Sequence, residues 1–209
     1  MQWRNQPSRG RMFWFILLLS LAGACAAVQD VRITYRVPDP SEILSGERVF
    51  LDFEDVRENR DILGPGARQA YAYHSGNVAL FVSSGGGEAS RVGLTNVPSL
   101  FRRTFERRIR ALGGEVVSRS REATAVLVLE LKAFELDLKD RSWKARMAYE
   151  AKLQPGDTVR ASQTVAGEAE RAKILGVKQA DQVMSELFTD MVNRLDLKGL
   201  IQKSRANEG

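Results

Sequence analysis

The spacing of apolar residues predicts an α+β domain, an antiparallel sheet of about four to five strands with two amphipathic helices packed on one face. Three observations point there. Val97, Phe101, Phe105, Ile109 and Leu112 recur at helical spacing. Apolar residues alternate with polar ones through residues 125–165, with turn residues between the runs. Ala180, Met184, Leu187, Phe188, Met191 and Leu195 then form a second helical stripe.

The chain opens differently. Arg4, Arg9 and Arg11 precede the apolar run Met12 to Leu21 and the small residues Ala22-Gly23-Ala24, the order of a secretory signal. The run is shorter than the roughly 20 apolar residues a spanning helix needs. The stretch Leu21-Ala22-Gly23-Ala24-Cys25 looks like a bacterial lipobox, whose cysteine thiol receives diacylglycerol before the chain is cut ahead of it. That motif usually has Leu three places before the cysteine, where this chain has Ala22, so an ordinary signal cut after Ala24 or Ala26 is the alternative. Cys25 is the only cysteine, and a free thiol in an oxidising compartment is a liability that lipid removes. Residues 1–24 therefore read as a lipoprotein-type signal peptide, and residues 25–47 as the lipidated cysteine and a tether containing Pro38, Pro40, Gly46 and one short extended stretch, 31–37. Acyl chains contribute about 0.8 kcal/mol per buried methylene, enough to anchor without a spanning helix. Ala26 replaces the Asp that retains enteric lipoproteins at the inner membrane, so the resemblance implies the outer membrane, facing the periplasm.

A single domain is expected over residues 48–200, with a polar tail over 201–209. Val49, Leu51 and Phe53 alternate with Asp52 and Glu54 as a half-buried strand, residues 57–77 read as a loop around Gly64-Pro65-Gly66, and Val78 to Val82 as another short strand. Asn96 and Pro98 suit the start of the first helix, and Gly113-Gly114 its end. Glu115 to Ser118 is a short strand. The next strand carries Ala125, Leu127, Leu129 and Leu131 on one face, then changes phase to Phe134, Leu136 and Leu138, predicting a bulge near Lys132-Ala133. Two more strands follow, through Trp143 to Leu153 and Val159 to Val165, joined by Gln154-Pro155-Gly156-Asp157.

This chain resembles the YajG-like family of bacterial lipoproteins. The likeness rests on the Cys25 signal, the strand running into Asp52-Phe53-Glu54-Asp55-Val56-Arg57 and Ile62-Leu63-Gly64, the helix closed by Gly113-Gly114, and the strand-strand-helix ending. It implies a membrane-tethered α+β domain with no catalytic residues to carry over. Auxiliary lipoprotein subunits of lipid-transport ABC systems look similar at this level, so that role is the alternative.

The remaining residues offer little chemistry. Asp52, Glu54 and Asp55 present oxygen ligands, but on alternate strand faces and beside Arg57, which favours an ion pair over a metal site. Gly85 to Gly87 lack the Lys and Ser/Thr of a phosphate-binding loop, and His74, the only histidine, lies beside Ser75 with no Gly-x-Ser-x-Gly elbow in the chain. No catalytic, metal or cofactor site is expected, and an enzyme would require Asp52, Glu54 and His74 to converge. Arg102, Arg103, Arg107, Arg108 and Arg110 crowd the first helix against Glu106 alone. A solvated face is the simpler reading. Arg103, Arg107 and Arg110, opposite the apolar stripe, are the candidate surface for an anionic partner, whether an envelope protein, lipid or peptidoglycan. Three of the five surplus positive charges leave with the signal, and export removes nucleic acid as a partner.

Overall fold

The computed structural model describes residues 29–71, 73–154 and 158–207, so the signal segment and Cys25 lie outside the described residues. The domain is α+β, but the expected single antiparallel sheet is two mixed sheets. Strands β1 (Val31–Val37), β3 (Val78–Ser84) and β4 (Ser90–Thr95) form the smaller, in the order β1-β3-β4. The larger holds β2 (Arg48–Asp55), β5 (Glu115–Val117), β6 (Ala125–Lys139), β7 (Ser142–Leu153) and β8 (Ala161–Ala172), in the order β5-β2-β6-β7-β8. Only β3–β4, β6–β7 and β7–β8 pair antiparallel; β1–β3, β2–β5 and β2–β6 are parallel. Parallel partners cannot be joined by a hairpin, and here the crossover from β2 to β5 and β6 runs through the helix at Val97–Ala111.

Four helices occur among the described residues rather than two: α1 (Pro65–Ala70), α2 (Val97–Ala111), α3 (Lys178–Arg194) and α4 (Leu197–Ala206). The expected polar tail over 201–209 is mostly α4, which buries Leu197, Leu200, Ile201 and Ser204 and is capped by Asp196 accepting from the Gly199 amide at 2.9 Å. The stretch assigned to a tether contains β1, whose Val31, Ile33 and Tyr35 are fully buried, and Leu44 is buried beyond it. The extended stretch expected over 31–37 is present, but it belongs to the folded core and not to a tether, a placement that Pro38 and Pro40 directly after it obscured.

The core lies between the larger sheet and its helices. Phe101 is the hub: its ring centroid is 5.2 Å from Phe53, 5.4 Å from Phe134, 5.4 Å from Phe188 and 6.4 Å from Tyr149, mostly edge to face.

Helix α3 also joins the two sheets. Asp181, Ser185 and Thr189 accept hydrogen bonds from the backbone N–H groups of Arg32, Thr34 and Arg36 at 2.9, 3.0 and 3.2 Å. Thr189 donates to the Thr34 carbonyl and Asn193 to that of Arg36, at 3.2 and 3.1 Å. The register follows from geometry. Four helical residues rise about 6 Å and two strand residues about 6.6 Å, so side chains four apart on α3 meet every second residue of β1. The helix thereby satisfies a strand edge that would otherwise be bare.

The Gly64-Pro65-Gly66 turn is held by a residue from another element. Oδ1 of Asp137 on β6 accepts from the amides of Gly66, Ala67 and Leu138 at 2.9, 3.2 and 2.9 Å, capping α1, which has no side-chain cap of its own. A Cβ on Gly66 would lie 2.0 Å from the Leu138 carbonyl oxygen. Gly66→Ala is therefore expected to cost about 1–3 kcal/mol through overpacking against backbone, read as a lower urea midpoint.

Candidate interaction surface

Helix α2 is built as its sequence suggested. The Asn96 side chain accepts from the Ser99 amide at 2.9 Å, Pro98 sits in the first turn, and Val97, Leu100, Phe101, Thr104, Phe105 and Ile109 face the core. The opposite stripe leaves Arg103, Arg107 and Arg110 exposed. They border an open depression of about 520 Å³ floored by Val37, Ser84 and Val92. The three candidate arginines therefore share one surface, between α2 and the ends of the smaller sheet. Glu106 lies on its rim, 3.7 Å from Arg110, and offsets one charge. Guanidinium forks at such spacing suit phosphate or carboxylate oxygens. The floor was not legible beforehand, because β4 (Ser-Arg-Val-Gly-Leu-Thr) has too little alternation to read as a strand.

The two flanking arginines do other work. Arg102 donates to the Leu51 carbonyl at 3.2 Å and lies 3.9 Å from Asp52. Arg108, counted from the sequence among the five arginines that crowd the helix, is 6% exposed. Its Nη2 donates to the carbonyls of Asn193 and Leu195 at the end of α3, a natural seat for a cation. Burial pushes the guanidinium pKa down, and the neighbouring Tyr149, Tyr35 and Asp196 act against that. Burial likewise raises both tyrosines above the ordinary range, with Arg108 partly opposing it. The helical phase of residue 108 places it on the border between the two stripes; only the approach of α3 decides which side it joins.

The other singled-out residues are not drawn together. Asp55 accepts from Arg57 Nε and Nη2, both at 2.8 Å, while Nη1 of the buried arginine donates to the Phe134 carbonyl at 3.1 Å. The Arg57 hydrogen bond, against the effect of burial, holds the Asp55 carboxyl below its usual range. His74 stands apart from both acids. Its Nδ1 is 3.5 Å from Asp30 Oδ1 and its ring packs edge-on to Tyr71. Burial lowers its pKa against the pull of Asp30. Neither Asp52 nor Glu54 borders the depression that His74 lines with Arg60, Asp61 and Tyr71. Among the described residues no group of three His, Cys, Asp or Glu side chains could hold a metal ion, and no helix is long and apolar enough to cross a membrane.

No protein-family model matches the chain, and no characterised protein matches it in sequence. A solved structure matches it in fold. Protein XCC0632 from Xanthomonas campestris, of family DUF330, superposes with a TM-score of 0.54 over 85% of this chain and 99% of its own, at 14% identity. The two share a fold. A Helicobacter pylori protein named as a homolog of a neuraminyllactose-binding hemagglutinin aligns more loosely, with a TM-score of 0.39 at 7% identity over 80% of this chain and 93% of its own. PelC from Paraburkholderia phytofirmans, a dodecamer, gives 0.33 at 10% identity over 77% and 95%.

Proposed function

We propose that this protein is a YajG-like envelope lipoprotein, held by lipid on Cys25 at the periplasmic face of the outer membrane, whose domain is a non-enzymatic interaction component. One observation carries the reading. A signal-like segment with three arginines and an apolar run ends at the only cysteine of the chain, and the first core strand begins six residues later, at Val31. Replacing Cys25 with Ser is expected to abolish acyl labelling and release the protein from washed membranes. A wild-type protein that takes up no label would overturn the reading.

The working surface is the arginine depression. It lies toward the C-terminal ends of β1 and β3, marked by Val37 and Ser84, whereas the anchor joins at the N-terminal end of β1. Seven strand residues separate the two by about 20 Å. The arginines thus face away from the anchoring bilayer, toward phosphate or carboxylate groups presented from the periplasm.

Crosslinking in cells from position 107 is expected to capture a discrete partner. Reversing the flanking Arg103 and Arg110 to Glu cuts the yield about tenfold or more, since one charge-assisted hydrogen bond contributes about 1.5–3 kcal/mol. Co-recovery of a permease and a substrate-binding subunit would assign the auxiliary role in an ABC system. Capture at background level, or equal capture by the reversed variant, would sink the partner surface.

A further inference from the structure

The anchor fixes more than the compartment. Cys25 precedes Asp30, which holds His74 and Ser75, by five residues. A fully extended chain of that length reaches at most roughly 17 Å, so the end of the domain carrying Asp30 is held close to whatever surface holds the lipid. Which side chains share that end follows from a continuous set of contacts. Asp30 meets His74 at 3.5 Å; His74 packs on Tyr71, whose hydroxyl donates to Asp181 at 2.9 Å in the first turn of α3. The Tyr71 ring lies 6.0 Å from that of Trp143 on β7, and Nζ of Lys173, the residue directly after β8, sits 5.6 Å from the Trp143 ring.

That end carries the three most exposed large apolar side chains among the described residues. Leu175 is 81% exposed, Ile174 73% and Tyr73 71%, while the other four lie between 47 and 51%. Ile174 and Leu175 form the tip of the connection from β8 to α3, flanked by the exposed Lys173 and Lys178, with the carbonyl of Arg141 on the adjoining turn accepting from the Lys173 amide at 2.9 Å. Such a projecting apolar pair is poorly placed in water. Amid cations, it matches the boundary between anionic headgroups and acyl chains.

We propose that the β8–α3 loop, with Tyr73 at the same end of the domain, is a membrane-contact surface that seats on the anionic bilayer holding the anchor and so orients the domain. The proposal rests on the lipid-anchor reading above. It explains why the exposed apolar side chains concentrate at the tethered end, and it leaves the arginine depression pointing into the periplasm.

The test uses the full chain with Leu175→Cys, carrying an environment-sensitive NBD label and reconstituted into phosphatidylethanolamine/phosphatidylglycerol vesicles. Val159→Cys, at the other end of β8, serves as the reference. The two positions are about 40 Å apart by strand rise over the twelve residues of β8. The parent chain corrects for label on Cys25, and acylation is scored separately.

The expected result is a blue-shifted emission protected from iodide at position 175 and a water-like one at 159, with the shift reduced by Lys178→Glu. An acylated, vesicle-bound protein with both labels in water overturns the contact surface and leaves the anchor standing. A protein without acyl label that still shifts at 175 overturns the anchor and keeps the contact. Loss of both signals removes both. A shift seen only in native membrane fragments, not in protein-free vesicles, assigns the loop to a protein partner and overturns the proposal.

Discussion

Replacing Phe101 with Ala is expected to lower the unfolding free energy of the domain by about 3–5 kcal/mol, the usual cost of deleting a buried aromatic side chain. The upper half of that range applies. Phe101 is fully buried and touches the rings of Phe53, Phe134, Tyr149 and Phe188. These come from β2, β6, β7 and α3, so no single element can relax into the space without pulling on the others. Marginal domains have only about 5–15 kcal/mol in total. Urea unfolding followed by tryptophan fluorescence reads the change, since Trp143 is buried in the same core. A loss below about 1 kcal/mol would mean that the aromatic hub is not the centre of the fold.

The second large effect lies at Asp137. Its carboxylate accepts three backbone amides and lies 3.3 Å from Lys139. Removing the acceptor in Asp137→Ala leaves the first turn of α1 uncapped and is expected to cost about 1.5–3 kcal/mol, the range for hydrogen bonds to a charged group. Asp137→Asn retains an oxygen acceptor and should cost less. The pH dependence carries a sign. Burial pushes this carboxyl up, but the amides of Leu138, Ala67 and Gly66 and the Lys139 ammonium hold it below the ordinary value. Its contribution is therefore complete above the unfolded-state pKa of about 3.9 and is lost as pH falls through the lower folded-state value. The stability difference between wild type and Asp137→Ala should narrow on acidification below that point. Asp181 works in the opposite direction: burial raises its carboxyl, so protonation there relieves a cost. Comparing the two proteins at each pH cancels that contribution.

Much of the larger sheet could be read from the chain. The change of phase after Leu131 placed a bulge near Lys132-Ala133, and the β6–β7 register shifts between Leu131 and Ala133. Helices α2 and α3 followed from their stripes because each is long enough to show several turns. What failed to show was short or joined across long sequence distances. Helix α1 spans six residues and takes its cap from Asp137, 71 residues away from Gly66, which no local pattern announces. The parallel partners of β1 and β2 were hidden for the same reason: alternation reveals a strand but not its neighbour. At the candidate surface, Arg103, Arg107 and Arg110 were found by helical phase, while the burial of the flanking Arg108 was not legible because it depends on the carbonyls of Asn193 and Leu195.

The ladder between α3 and β1 bears on the order in which the chain can fold. Thr34 and Ser185 are 151 residues apart in sequence. A chain emerging from its N-terminus presents β1 first and the helix that covers it nearly last. Until residues 178–194 arrive, one edge of β1 has its amides and carbonyls open to any extended segment nearby. Contacts this distant in sequence are slow to close. The interval before they do is when the nascent protein most needs a chaperone, and a truncation that removes α3 would leave the same strand permanently open to a second copy.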